Sequence, residues 1–390
     1  MILDPCIFKK QEKITNCAQI FIKSYGCAQN RFDAQQLSCK LKKALFFVYN
    51  QGFGSDKELL RNRFEYAIAS KIDYFVIFTC PLTYFLEQLI IDSIRRIQQA
   101  NRKAKIIITG CSLSCSSSIF TQKYLAHGKN IILVSSDKLI NLFSSKKVSK
   151  GNILVFNDKS LGTLLIKRGC SNGCSYCVCP KAHKPIKHIG FRDILAQIKT
   201  LELADINFIE FGGSCVGDWR NPNGKISNFL DLLRFILENT NFKIVNLELH
   251  PNDINSELIT LLADPRIDKD ISIPIQSASD ATLKNMKRKY NSKYLHELFK
   301  SLFKLIPNIK VSTDIIVGFP GENKTDFSAT VSLLKEYPFH RIDVYRYSNI
   351  NKNKERGYNF SSHTEINTHK IAKLFEINNI AKKNINITSL

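Results

Sequence analysis

The sequence predicts an α/β protein in two parts: an N-terminal domain with a doubly wound parallel sheet, then a partial (βα)6 barrel. Two patterns carry this prediction. Through residues 20–147, short apolar runs alternate with longer helical segments, as expected of strands covered by helices on both faces. From about residue 160 the alternation becomes regular and runs through six βα steps, enough to curl into part of a barrel. Between them, SSKKVSKGN (144–152) is polar, basic and glycine-containing, which is how a domain boundary reads. The parts are therefore 1–147, 152–347 and a basic tail, 348–390.

IFIKSYG (20–26) is a strand stopped by Gly26, and 30–45 has helical character. Gly52 and Gly54 mark a turn in a less regular stretch. A helix over 57–71 leads to the strand DYFVIFT (73–79), and a helix over 83–100 leads to KIIITG (105–110). IILVS (131–135) is a further strand, followed by a short helix over 137–144. In the second part, strands fall at 163–168, 206–211, 243–248, 271–275, 310–317 and 341–347. Helices fall near 191–204, 225–239, 255–263, 279–304 (broken near Tyr290) and 322–336. The tail carries one basic amphipathic helix over 366–383.

The 390 residues are 44% hydrophobic and 10% aromatic, enough to build sizeable cores. Lys and Arg outnumber Asp and Glu by 56 to 34, a net charge of +22. That balance points to a polyanion, nucleic acid first; a solvated Lys-rich surface is the competing reading. The longest apolar stretch, 74–86, is broken by Pro81 and is shorter than the ~20 residues of a membrane-spanning helix. MILDPCIFKK at the start lacks a secretory apolar region, so a cytoplasmic protein without a membrane partner is expected. In such a chain, 12 cysteines read as metal or redox ligands rather than a disulfide framework.

KRGCSNGCSYCVCP (167–180) follows the first barrel strand and spaces Cys170, Cys174 and Cys177 as C-x3-C-x2-C, with Gly169 and Gly173 to let the loop fold tightly. Three thiolates on one loop can hold three irons of a cubane and leave the fourth open. S-adenosylmethionine can chelate an open iron, and one electron can then break its C–S bond to release a carbon radical. With Cys179 or His183 as fourth ligand the loop would be a zinc site, and with a remote fourth cysteine an electron-carrying cluster. Tyr176 before the third cysteine and the six βα steps downstream favour the radical reading.

Cys27, Cys80 and Cys111 each end a predicted strand, in SYGC, IFTC and ITGC. In an open parallel sheet such ends share one edge, so three thiolates from separate strands could hold a second cluster. Buried cysteines acting as small hydrophobes are the alternative. Cys6, Cys17 and Cys39 lack that placement and read as structural.

The two cysteine sets, in this order, resemble the radical SAM methylthiotransferase family over about residues 20–347. YGCAQNRFDAQQL is similar to its opening G-C-x-x-N-x-x-[DE] motif, and FTC and ITGC stand where its next two cluster cysteines stand. RGCSNGCSYCVCP, IPIQSASDATLKNMKRKY and STDIIVGFPGENKTDF resemble three further segments of that family. The resemblance implies two [4Fe–4S] clusters: an auxiliary one on Cys27, Cys80 and Cys111, and a radical one on Cys170, Cys174 and Cys177. It implies S-adenosylmethionine in two uses, as methyl donor and as radical source, with methylthio insertion at an unreactive C–H bond. An electron donor such as flavodoxin or ferredoxin is implied as a partner. No nucleophile triad is expected, because general-base catalysis cannot open such a bond.

The family modifies adenosine 37 beside the tRNA anticodon, or a ribosomal protein side chain. The charge of +22 favours RNA. FGGSCVGDW (211–219) and LELHPNDI (247–254) resemble segments of the branch acting on N6-threonylcarbamoyladenosine. Conversion of that base to its 2-methylthio derivative in the anticodon stem-loop is therefore expected. The alternatives are isopentenyladenosine, a protein side chain, or a non-catalytic RNA-binding remnant. The stretch after Tyr347 does not read as the small β-barrel that usually closes the family's chains. RNA binding then falls on the basic surface, including Lys287, Arg288, Lys289 and the tail.

Other candidates lie at predicted strand ends of the barrel. Gly212 and Gly213 would admit the methionine end of the cofactor, or form a simple turn. Gln276 and Ser277 would contact cofactor or substrate, and Gly318 and Gly321 would let backbone approach adenine. Glu248 and His250 are possible polar contacts, and Arg168 a partner for carboxylate or phosphate.

Overall fold

A computed structural model describes residues 18–25, 28–43, 47–50, 70–80, 84–114, 130–136, 138–143, 161–177, 179–182, 185–221, 224–347 and 384–387. The chain divides into two compact units, Met1–Lys159 and Ser160–Leu390. Among the described residues no helix is long and apolar enough to cross a membrane.

The first unit is a five-stranded parallel sheet of β1 (Gln19–Ser24), β2 (Phe47–Asn50), β3 (Tyr74–Thr79), β4 (Lys105–Gly110) and β5 (Ile131–Leu133), ordered 2-1-3-4-5. Alternate residues feed two cores. Ile20, Ile22, Val76, Phe78 and Ile107 pack with Ala34, Leu37 and Leu41 of α1 (Ala28–Lys43). Phe21, Phe75, Ile77, Ile106 and Ile108 pack with Ile90, Ile91, Ile94 and Ile97 of α2 (Tyr84–Ala100). Side chains alternate across a strand, so burial on both faces demands apolar residues at every position, and the expected doubly wound sheet results. The sequence reading missed β2. The expected helix over 137–144 is a single 3-10 turn, Leu139–Leu142. Of the expected helix over 57–71, residues 57–69 lie outside the described residues and 70–71 form a turn.

In the second unit the parallel strands follow chain order: β6 (Leu161–Leu165), β9 (Phe208–Gly212), β10 (Lys243–Ile244) with β11 (Leu247–Glu248), β12 (Asp270–Ser272), β13 (Lys310–Val317) and β14 (Arg341–Arg346). One expected strand is split into β10 and β11, with Asn246 between them at φ +52. Between β6 and β14 the helices are α3 (Cys179–Ala182), α4 (Phe191–Leu203), α5 (Phe229–Asn239), α6 (Ser256–Leu262), α7 (Asp280–Asn285), α8 (Ser292–Leu305) and α9 (Lys324–Glu336). Asn228, Asn255, Ser279, Asn291 and Asn323 cap α5 to α9, each side chain accepting a first-turn amide; a cap of this kind is worth about 1 kcal/mol.

Two further departures matter. The first barrel strand ends at Leu165, and Lys167–Arg168 (β7) pairs antiparallel with Lys187–His188 (β8). This two-stranded ribbon closes the base of the cysteine loop. In the tail, β15 (Asn384–Ile387) pairs parallel with β14, where no strand was expected. The expected tail helix over 366–383 lies outside the described residues.

Candidate active site

Parallel topology brings the ends of β6, β9, β11, β12, β13 and β14 to one edge, and the cysteine loop follows the first of them. Cys170, Cys174 and Cys177 are free thiols, each partly buried. Gly169 turns the chain at φ +80. The loop is stapled to the segment after α7: the Ser175 N–H donates to the Met286 carbonyl at 3.1 Å and its hydroxyl to the Asn285 carbonyl at 2.8 Å. Below the loop the fully buried ammonium of Lys167 pairs with Asp218, which also accepts from the Ser171 hydroxyl.

Two of the three thiols are acidified. A hydrogen bond from the Cys215 thiol, helped by the Lys167 charge, brings Cys170 down to about 7 against the cost of burial. A hydrogen bond from Cys179 lowers Cys177. The thiolate is the form that binds metal. The one Cys215 proton serves either Cys170 or Asp253, whose Oδ2 is 3.3 Å away, while Asn172 donates to the Cys215 sulfur at 3.0 Å. Among the described residues no three His, Cys, Asp or Glu side chains converge as a finished metal cage. Cys170 faces Cys215 and Cys177 faces Cys179, so ligation would exchange S–H···S contacts for metal–sulfur bonds.

On the first unit, the register pairs Thr79 with Gly110, which sets Cys80 and Cys111 side by side at the sheet edge, both buried. Cys27 lies outside the described residues. Asn30, the Asn of the G-C-x-x-N motif, to which the sequence reading gave no role, ties this edge together. Asn30 is 1% exposed, and its Nδ2 donates to the carbonyls of Tyr25 (2.8 Å) and Thr79 (3.0 Å) while its Oδ1 accepts from the Cys111 sulfur at 3.5 Å. One side chain thus spans three strand ends. The signal lay in the fixed offset from Cys27 to Asn30.

A Cβ on Gly212 would meet the Thr163 methyl at 3.0 Å, and one on Gly213 (φ +141) the Lys167 carbonyl oxygen at 2.8 Å. The space these glycines spare is filled by β6 and β7, so close strand packing requires them. Ser277 turns away to Thr330 on α9, 3.2 Å between hydroxyls, and accepts from the Ser279 amide; it is a turn residue. Gln276 holds a left-handed φ of +66 at the end of the fourth barrel strand. The Gly318 amide is taken by the Glu322 carboxylate at 2.7 Å, while a Cβ on Gly321 (φ +87) would meet Asn285 Nδ2 at 3.6 Å. Lys287 and Lys289 are exposed. Arg288 is a correction: its guanidinium is turned inward onto Tyr176, Tyr290 and Cys174, so it is not part of an outward basic surface. Asp314, largely buried beside Glu248 and Asp343, is pushed up to about 7. Burial holds His250 neutral, down at about 3.

The radical SAM superfamily profile matches residues 164–334, from the first barrel strand to the last barrel helix. The ribosomal protein uS12 methylthiotransferase RimO of Protochlamydia amoebophila is 27% identical over 364 residues, 88% of this chain and 71% of that one. A tRNA-2-methylthio-N(6)-dimethylallyladenosine synthase of Thermosipho africanus is 27% identical, covering 85% and 76%. The threonylcarbamoyladenosine tRNA methylthiotransferase MtaB of Thermotoga maritima is 24% identical, covering 84% and 74%. The chain belongs to the radical SAM methylthiotransferase family. Its fold is shared with the radical S-adenosylmethionine methyltransferase TsrM of Kitasatospora setae, at a TM-score of 0.55 and 14% identity over 84% of this chain and 74% of that one.

This methylthiotransferase therefore uses S-adenosylmethionine and [4Fe–4S] clusters. The donor set fits a cluster with one open iron: three free thiols on one glycine-containing loop, two of them held acidic.

Proposed function

We propose that this protein is a tRNA methylthiotransferase that converts N6-threonylcarbamoyladenosine 37 to its 2-methylthio form. Cys170, Cys174 and Cys177 would hold the radical cluster, and Cys27, Cys80 and Cys111 the auxiliary one. When bound, cluster and S-adenosylmethionine supply one-electron C–S cleavage and hence a radical able to take hydrogen from an inert C–H bond. The chain's own part is positioning. The β7–β8 ribbon and the Ser175 contacts hold the cysteine loop at the strand edge, and Asn30 holds the strand ends bearing Cys80 and Cys111.

The observation that carries this reading is the order of the cysteines along the chain, with Cys80 and Cys111 at strand ends of the first parallel unit and Cys170, Cys174 and Cys177 on the loop after the first strands of the second. The charge of +22 supports an RNA substrate, reached through the cytoplasm, with a flavodoxin- or ferredoxin-type electron donor. Residues 211–219 and 247–254 support the threonylcarbamoyl branch, while the relatives of 24–27% identity include enzymes acting on each of the three substrates. The longest of the three alignments is with a protein that acts on uS12, so a ribosomal protein side chain is the second reading. Mass spectrometry of tRNA nucleosides and of ribosomal proteins from a deletion strain separates them. Loss of the methylthio-threonylcarbamoyl nucleoside is expected; intact methylthio nucleosides with an unmodified ribosomal protein would reverse the assignment.

A further inference from the structure

Arg288 stands between two exposed lysines, yet its own guanidinium points into the protein. Lys287 takes a left-handed φ of +59, and the chain turns there. The donors are then spent on one group of acceptors. Nη1 donates to the Cys174 sulfur at 3.5 Å and to the Tyr176 hydroxyl at 3.1 Å, Nη2 to the Pro274 carbonyl at 2.7 Å, and Nε to the Tyr290 hydroxyl at 2.6 Å. Tyr290 donates in turn to the Ile275 carbonyl at 2.7 Å, and the guanidinium carbon lies 4.9 Å from the Tyr290 ring centroid. A lysine would supply the charge but not this set of directed bonds. Three consecutive residues of the cysteine loop, Cys174, Ser175 and Tyr176, are all bonded to the single stretch 285–288.

We propose that Arg288 is a positioning residue for the cysteine loop that also tunes it. It holds Cys174 and Tyr176 in place, and it sets a fixed positive charge against the sulfur of one ligand. Hydrogen bonds to ligand sulfur and local net charge are levers on the reduction potential of an iron–sulfur cluster. A donor cation on Cys174 favours the more negative, reduced form and so raises that potential. The proposal rests on the loop being the cluster site, as proposed above.

The test is an EPR-monitored redox titration of anaerobically reconstituted full-length protein carrying C27A, C80A and C111A, which leaves one cluster. Parent, Arg288→Gln and Arg288→Lys are compared, with iron content and circular dichroism measured on each. The glutamine variant is expected to keep its iron and shift to a more negative midpoint potential, with the lysine variant between it and the parent. An unchanged potential in a fully loaded glutamine variant overturns the proposal. Where the glutamine variant folds but loads no iron, the lysine variant decides. Iron and potential recovered by the lysine charge support a tuning role, whereas a lysine variant as empty as the glutamine one overturns it in favour of packing alone. A parent that binds no iron overturns the assignment of Cys170, Cys174 and Cys177 itself, and with it this proposal.

Discussion

A Cβ at Gly110 would stand 2.6 Å from the Thr79 carbonyl oxygen and 2.7 Å from its nitrogen, on a backbone at φ +96. Neither obstacle is a flexible side chain, so β3 and β4 would have to part where Cys80 and Cys111 leave them. Gly110→Ala is expected to cost about 2–4 kcal/mol in urea unfolding. Asn30 is the matching polar element. Asn30→Asp replaces the amide that serves the Tyr25 and Thr79 carbonyls with a carboxylate facing them, leaving buried acceptors unpaired at about 1–3 kcal/mol. Its expected signature is loss of roughly half the iron, measured per chain after reconstitution. Asp314 gives a pH prediction. Its folded pKa of about 7 lies above the usual carboxylate value, so the folded state binds the extra proton between about pH 4 and 7. Its contribution is present at low pH and lost as pH rises through 7. Asp314→Asn should therefore stabilise the protein by about 1–2 kcal/mol at pH 8, where a buried charge is removed, and little at pH 5. A variant equally stable relative to wild type at both pH values would contradict this.

At the scale of elements, the departure of β7 from β6 decides how the cysteine loop is held. Lys167 is wholly buried and its charge is met by Asp218 on the turn after β9. Removing one partner strands the other: Asp218→Ala is expected to cost about 3–5 kcal/mol, with much of it regained in the K167M/D218L pair. Thermal unfolding of the two variants checks this, and equal losses in both would argue against a charge pair. Most elements were legible because their causes are local. Continuous apolar runs and the longer helical segments between them are written in consecutive residues. What was missed depends on distant partners. FVYN is too short to declare itself and is a strand only because β1 offers an open edge. Lys167–Arg168 reads as a continuation of β6 until Lys187–His188 is there to pair with it.

For the whole molecule, two clusters imply about eight irons per chain, and Cys80→Ala with Cys111→Ala should bring that to about four while the signal of the remaining cluster still responds to S-adenosylmethionine. A count that stays at eight would sink the auxiliary site. The charge of +22 makes a second global prediction. Binding of the proposed tRNA substrate should weaken at least tenfold between 50 and 200 mM salt, read by filter binding; salt-independent binding would remove phosphate contacts as its source.

Sequence alone determined the fold class and the order of its two α/β units and proposed the two cysteine sets, because apolar runs and ligand spacing are short-range patterns. It also named Arg288, but with the wrong partner. Tertiary structure alone decided that this arginine faces Tyr176, 112 residues away, and that Asn30 joins Thr79 and Cys111, 49 and 81 residues away. It likewise decided that a Cβ at Gly212 or Gly213 would run into β6 or β7. Each of these depends on which distant backbone arrives beside the residue, and a side chain's direction is set by that neighbour and not by its place in the chain.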